Sequence, residues 1–256
     1  MKFNSHLVIP DTQVRPGVDL SYLSWVGQYI INKKPSVIVC LGDFADMESL
    51  SSYDKGKKSF EGRRYKNDIQ AAKKGMDILL KPIRDFNKKA KDGHRVGYRP
   101  RMVLTLGNHE QRIERVAEFQ PEFEDVVSYN DLPYQDWEVI DFLKPIDIDG
   151  VNYVHYLSNP YTGYPYGGSA LNQLTKAGKT FIVGHKQTLD IATRFTVDKK
   201  QQWGIVAGAC YTHDEVYKGH QGNAHWRGII MLNRVNDGTF DPMFISLDYL
   251  KDRYSV

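Results

Sequence analysis

Cysteine is nearly absent from this 256-residue chain: Cys40 and Cys210 are the only two, and no Cys-x-x-Cys pair occurs. That excludes a disulfide framework and a thiolate zinc site. Long apolar runs are missing as well. None approaches the roughly 20 residues a helix needs to span a bilayer. The opening Met1-Lys2-Phe3-Asn4-Ser5-His6 leads straight into a strand without a signal-peptide pattern. A cytoplasmic protein with no membrane partner is the expectation. There is no internal repeat, low-complexity tail or linker. The length fits one domain, residues 1–256, with a basic insertion at about 49–66.

Net charge is only +3, but it is unevenly spread. Residues 51–101 carry 16 Lys+Arg against 6 Asp+Glu, a net of +10, and the rest of the chain a net of −7. Such a segment either attracts a polyanion or forms a solvated helix face. From Asn67 a long helix is expected. Ile69, Ala72, Met76, Leu79, Leu80, Ile83 and Phe86 form one stripe, and Pro82 should kink the helix or split it in two.

What the chain does contain is a series of short hydrophobic strands that end in chemistry-bearing residues. Residues 5–10 run into Asp11-Thr12-Gln13, and Val37–Leu41 runs into Gly42-Asp43-Phe44-Ala45-Asp46. Arg101–Leu106 runs into Gly107-Asn108-His109-Glu110. Between the first two strands, Leu20–Ile31 has helical spacing, which gives the strand–helix–strand order of a parallel sheet. Further on, the strand at Val151 reaches His155, and Thr180–Val183 meets Gly184-His185-Lys186-Gln187. Open α/β sheets keep their ligand crevices at the carboxyl ends of the strands. Five strand ends that present Asp, Asn and His therefore suggest an oxygen-and-nitrogen metal site and hydrolytic chemistry. After about residue 139 short β segments dominate, separated by turns such as Asp149-Gly150 and Asn236-Asp237-Gly238. The expected architecture is α/β, with two sheets packed face to face between helices.

Taken in order, Asp11-Thr12-Gln13, GDFAD at 42–46, GNHE at 107–110, His155 and GHKQ at 184–187 resemble the signature of the calcineurin-like metallophosphoesterases. The resemblance implies a four-layer α/β/β/α sandwich and a divalent-metal-dependent phosphoric ester hydrolase with two divalent ions. Asp43 would bridge them, with Asn108, His155 and His185 completing the second site and Asp11, Gln13 and Gln187 belonging to the first. A metal-bridging hydroxide would attack phosphorus while His109, oriented by Asp46, acts as general acid. The family's histidines at positions 13 and 187 are glutamines here. The resulting all-oxygen first set favours Mn²⁺, with Mg²⁺ an alternative there, over Zn²⁺ or iron.

His109 and the basic segment together point to a phosphodiester substrate, DNA or RNA included, and hence to a phosphodiesterase or nuclease. A phosphomonoesterase acting on phosphoprotein or nucleotide and a non-catalytic scaffold are the rival readings. Arg112 either reaches a substrate phosphate or forms a surface ion pair. His213, His220 and His225 read as solvated loop residues, and Trp203 and Trp226 as core.

Overall fold

The structure, a computed structural model, describes residues 4–215 and 218–255. The first half alternates strand and helix: β1 (Asn4–Ile9), α1 (Ser21–Lys33), β2 (Val37–Cys40), α2 (Tyr65–Asp92), β3 (Arg101–Thr105), α3 (Arg112–Phe119) and β4 (Glu138–Ile140). The second half is strand-rich: β5 (Ile146–Ile148), β6 (Val151–Val154), α4 (Ala170–Ala177), β7 (Phe181–Val183), β8 (Leu189–Phe195) and β9 (Gln201–Ala207). After a short helix α5 (Gly219–Asn223) come β10 (Gly228–Asn236), β11 (Thr239–Ser246) and α6 (Leu247–Tyr254).

The strands form two mixed sheets, ordered β11-β10-β1-β2-β3-β4 and β5-β6-β7-β9-β8. Strand alternation sorts the side chains into layers. In β1 and β2, Leu7, Ile9, Ile38 and Cys40 face α1, α2, α3 and α6, while Val8, Val37 and Val39 face the second sheet. There they meet Tyr153, Ile182 and Ile205. The far side of the second sheet packs Phe181, Val183 and Val206 on Ala170 and Leu174 of α4. The order of layers is therefore helix, sheet, sheet, helix, as the sequence motifs imply.

The buried stripe of α2 matches the expected positions, with Phe86 half-buried under the Lys34 ammonium 4.1 Å from its ring. Pro82 does not split the helix, which runs unbroken for 28 residues. Its ring is instead accommodated by Gly27 of α1. A Cβ at Gly27 would overlap the Leu79 carbonyl and lie 2.9 Å from Pro82 Cγ. Close approach of α1 thus packs the proline that on its own would disrupt the helix. The lysines and Arg84 of α2 face outward, with Lys81 paired to Asp85 and Arg84 to Asp77, so most of the basic segment's charge lies on the outer helical layer.

Strand ends otherwise depart from the sequence reading by a few residues, and β5, β8, α4, α5 and α6 are additional. β8 escaped because neither of its faces is well buried. Helices α4 and α6 are capped by Ser169 and Ser246, whose hydroxyls accept from the Asn172 and Tyr249 amides, a signal that is present in the sequence. Because β1, β2 and β3 are mutually parallel, as are β6, β7 and β9, their carboxyl ends converge at one end of the sandwich.

Candidate metal centre and its surroundings

Asp43, His155 and His185 offer ligand atoms that all lie within 4.8 Å of one another. Asn108 joins them: its Oδ1 is 3.0 Å from His155 Nε2 and 2.8 Å from His185 Nδ1. Two imidazole nitrogens, an amide oxygen and a carboxylate thus converge from four different strand ends. The His155 ring is set by its Nδ1–H, which donates to the Leu41 carbonyl at 2.7 Å and so leaves Nε2 for the centre. His185 is held by a backbone contact, its N–H donating to Asp11 Oδ1 at 3.0 Å.

Electrostatics give the same picture. Burial would lower His155, but the Asp43 carboxylate beside it and the nearby Asp11 push it up to about 10. Burial and the neighbouring His155 charge push His185 down to about 4, which leaves it a neutral donor. Burial, reinforced by Asp43, raises Asp11 to about 6, and its Oδ2 has no hydrogen-bond partner among the described residues. Two buried carboxylates, one with an orphaned oxygen, beside the neutral His185, the Asn108 amide oxygen and a His155 that they draw toward its charged form make a pocket that fits a cation.

The backbone is bent to make this arrangement. Gln13, Asp43, His185 and Gln187 all have positive φ, at 48°, 48°, 65° and 59°. Each non-glycine residue held there costs about 1 kcal/mol or more, and such strain persists only where the surroundings enforce it. Gly107 is required by close approach: a Cβ there would overlap the Asp43 carboxylate and amide. Gly107→Ala should therefore displace Asp43 and weaken Mn²⁺ binding by about 10- to 100-fold. Titration calorimetry would measure this, with circular dichroism to show that the fold persists.

Glu110, the last residue of the GNHE run, serves the scaffold. It is fully buried, and its carboxylate accepts from the backbone N–H groups of Asp43, Gly107 and Ala45 and from the Tyr134 hydroxyl, all at 2.9–3.0 Å. One side chain thereby fixes the Asp43 loop to the Asn108 loop.

His109 sits at the edge of the metal group. Its Nδ1–H donates to Asp46 Oδ1 at 2.8 Å and to the Asp46 carbonyl at 2.9 Å, while Nε2 lies 3.6 Å from Asp43 Oδ2. Burial lowers His109, yet Asp43 and Asp46 prevail and hold it above its ordinary value. Despite burial, His109, Arg112 and Arg15 keep Asp46 well below the usual carboxylate range. Arg15 is a residue the sequence reading passed over. Its NH1 bridges Asp46 Oδ2 at 3.0 Å and Glu215, 200 positions further along the chain from Arg15, at 2.9 Å. Arg112 pairs with buried Asp46 rather than at the surface: NH1 donates to the Asp46 carbonyl at 2.8 Å and lies 3.6 Å from Asp46 Oδ1, and NH2 lies 3.2 Å from His109 Nε2, to which it donates when that nitrogen carries no proton.

The glutamines differ from one another. Gln13 Nε2 donates to Asp43 Oδ2 at 3.4 Å. Gln187 Oε1 accepts from the Tyr211 hydroxyl at 2.9 Å and from Lys218 Nζ. Tyr211 and Lys218 had no signal in the sequence, because they come from the segment after β9. His213 is part of this segment too; it stacks on Tyr211 at 4.6 Å and contacts Glu215 at 3.2 Å, so it is more enclosed than a solvated loop histidine. Trp203 and Trp226 pack on Phe240 and Phe244. Beside His109 opens a cleft of about 580 Å³, lined by Arg15, Arg112 and Glu215 and, from the insertion, by Tyr53, Lys57 and Arg63.

Comparison with known proteins gives results in keeping with this geometry. The Gene 54 protein of Mycobacterium phage L5 is 31% identical over 271 aligned positions, covering 98% of this chain and 95% of that protein. Among solved structures, the phosphoesterase YfcE of E. coli aligns over 94% of this chain and 100% of its own, at 11% identity and a TM-score of 0.40. Vps29 of Chaetomium thermophilum aligns over 95% and 98%, at 9% identity and a TM-score of 0.40. The family model described as calcineurin-like phosphoesterase matches residues 6–237, which contain every strand end of the centre. The chain therefore belongs to the calcineurin-like phosphoesterases, a family of phosphoric ester hydrolases.

Proposed function

We propose that this protein is a divalent-metal-dependent phosphodiesterase, with nucleic acid among its candidate substrates. The observation that carries the reading is His109: an imidazole held at Nδ1 by ionised Asp46, raised above its ordinary value by its carboxylate neighbours against burial and the Arg112 charge, with Nε2 turned toward the metal group. A phosphodiester releases an alkoxide, and a proton donor placed there serves that leaving oxygen. Arg112 NH2 faces the same space and suits a non-bridging phosphate oxygen. Asp43, Asn108, His155 and His185 would hold a divalent ion, and the two oxygen donors, Asp43 and Asn108, admit Mn²⁺ beside the two imidazoles. When bound, that ion supplies Lewis-acid charge and lowers the pKa of water.

The cleft supports an extended substrate, since it runs from Arg112 and Arg15 to Lys57 and Arg63 of the insertion, with Tyr53 available for stacking. A phosphomonoesterase acting on nucleotide or phosphoprotein is the second reading. It is favoured by the carboxylates Asp46, Glu48, Asp54 and Glu215, which balance those four basic side chains in the cleft.

Hydrolysis of bis-p-nitrophenyl phosphate and of its monoester with Mn²⁺, alongside labelled single- and double-stranded DNA, separates the readings. Turnover of the diester, abolished by Asp43→Asn, is expected. Monoester turnover alone would reject the diesterase preference, and no turnover of any compound would leave a non-catalytic scaffold.

A further inference from the structure

We propose that this chain supplies its own cation on the Asp11–Gln187 side of the centre. The Lys218 ammonium stands where a second ion would bind, and the protein takes one divalent ion, at Asp43, Asn108, His155 and His185. The proposal rests on the metal-dependent reading above and fixes its stoichiometry.

The glutamines carry it. A side-chain amide has one oxygen with two acceptor positions and an NH₂ that only donates. Both acceptor positions of Gln187 Oε1 are taken, one by the Tyr211 hydroxyl and one by Lys218 Nζ. Gln13 turns its NH₂ toward Asp43 Oδ2, and a carboxylate can only accept there, so the orientation of the amide is fixed by its partner. Gln187 therefore presents no free oxygen lone pair inward, and Gln13 presents its NH₂ to the Asp43 carboxylate. Each makes the contact suited to a site whose cation is an ammonium: an acceptor for the ammonium, and a donor for the carboxylate.

Lys218 is held in position. Its Nζ lies 3.2 Å from Tyr211 Oη, and the adjacent Cys210 N–H donates to the Asp11 carbonyl at 2.8 Å, tying this segment to the first strand end. Charges interact far more strongly in a half-buried site than in water, so a divalent ion placed against this ammonium meets strong repulsion. Lys218 has no equivalent in a motif reading because it follows β9, outside every motif.

The test is a metal count. Metal-stripped full-length protein titrated with Mn²⁺ is expected to bind one ion per chain by native mass spectrometry, with the electron paramagnetic resonance signal of an isolated ion. His155→Ala should lose that ion. The triple variant Gln13→His/Gln187→His/Lys218→Met should bind two, with an exchange-coupled signal. Two ions in the wild-type protein overturn the proposal, as does a His155→Ala variant that keeps its ion. The wild-type count is decisive even if the triple variant fails to fold. Diester turnover in the same samples separates the two readings. One ion without turnover overturns the hydrolase reading and leaves the count standing; two ions with turnover do the reverse.

Discussion

Replacing His109 with alanine is expected to slow cleavage of an alkyl or nucleoside diester by about 10²- to 10⁴-fold in kcat, the usual worth of a placed general acid. Bis-p-nitrophenyl phosphate should lose much less, because its leaving group departs as a stable phenolate without a proton. The contrast between the two substrates, measured on one preparation, distinguishes proton donation from loss of structure. Equal losses on both would remove His109 from that role. The pH dependence follows from the same geometry. Asp43 and Asp46 hold His109 above its ordinary 6.5 against the effect of burial, so its protonated form persists past that pH. Diester turnover should therefore be sustained below the raised value and fall as pH rises through it. Asp46→Asn removes a hydrogen-bonded carboxylate that favours the charged ring, so the falling limb should move to lower pH. A limb that stays in place would show that Asp46 does not act on His109.

Glu110→Ala is expected to cost about 3–5 kcal/mol of stability, read as a lowered urea midpoint. The substitution leaves three backbone N–H groups and the Tyr134 hydroxyl without their acceptor in a fully buried place. Buried donors left unpaired each cost about 1–3 kcal/mol, partly relieved by relaxation. Glu110→Gln should recover little, because one of its two terminal groups would point N–H hydrogens at N–H hydrogens. Since the same carboxylate joins the Asp43 and Asn108 loops, metal affinity should fall along with stability. A variant with an unchanged midpoint would contradict this account.

Glu110 also shows how a motif can be read correctly and still be incomplete. In the sequence, Gly107-Asn108-His109-Glu110 divides into a donor and a proton-bearing imidazole, and nothing marks the glutamate as their support. Its partners lie 67 and 65 positions away at Asp43 and Ala45, and 24 away at Tyr134, distances over which local pattern carries no information. The same holds for Arg15, whose two carboxylate partners come from positions 46 and 215.

The sequence by itself determined which residues follow the strands. Apolar runs such as Val37–Cys40 need both faces buried, the residues that follow must emerge at the sheet's carboxyl edge, and Asp11, Asp43, Asn108, His155 and His185 are therefore legible as a convergent set. It also set the layered fold, because strand–helix–strand order admits few arrangements. Tertiary structure alone decided which side chains the converging ends would find there. Hydrogen-bond partners depend on distance and on which lone pair is left, and neither is written along the chain. Thus Gln13 and Gln187, which as residue types read as oxygen ligands, are turned toward Asp43 and toward Tyr211 and Lys218. Pro82 is likewise a helix breaker in sequence and a packed residue in an unbroken helix, because only the folded chain brings Gly27 against it.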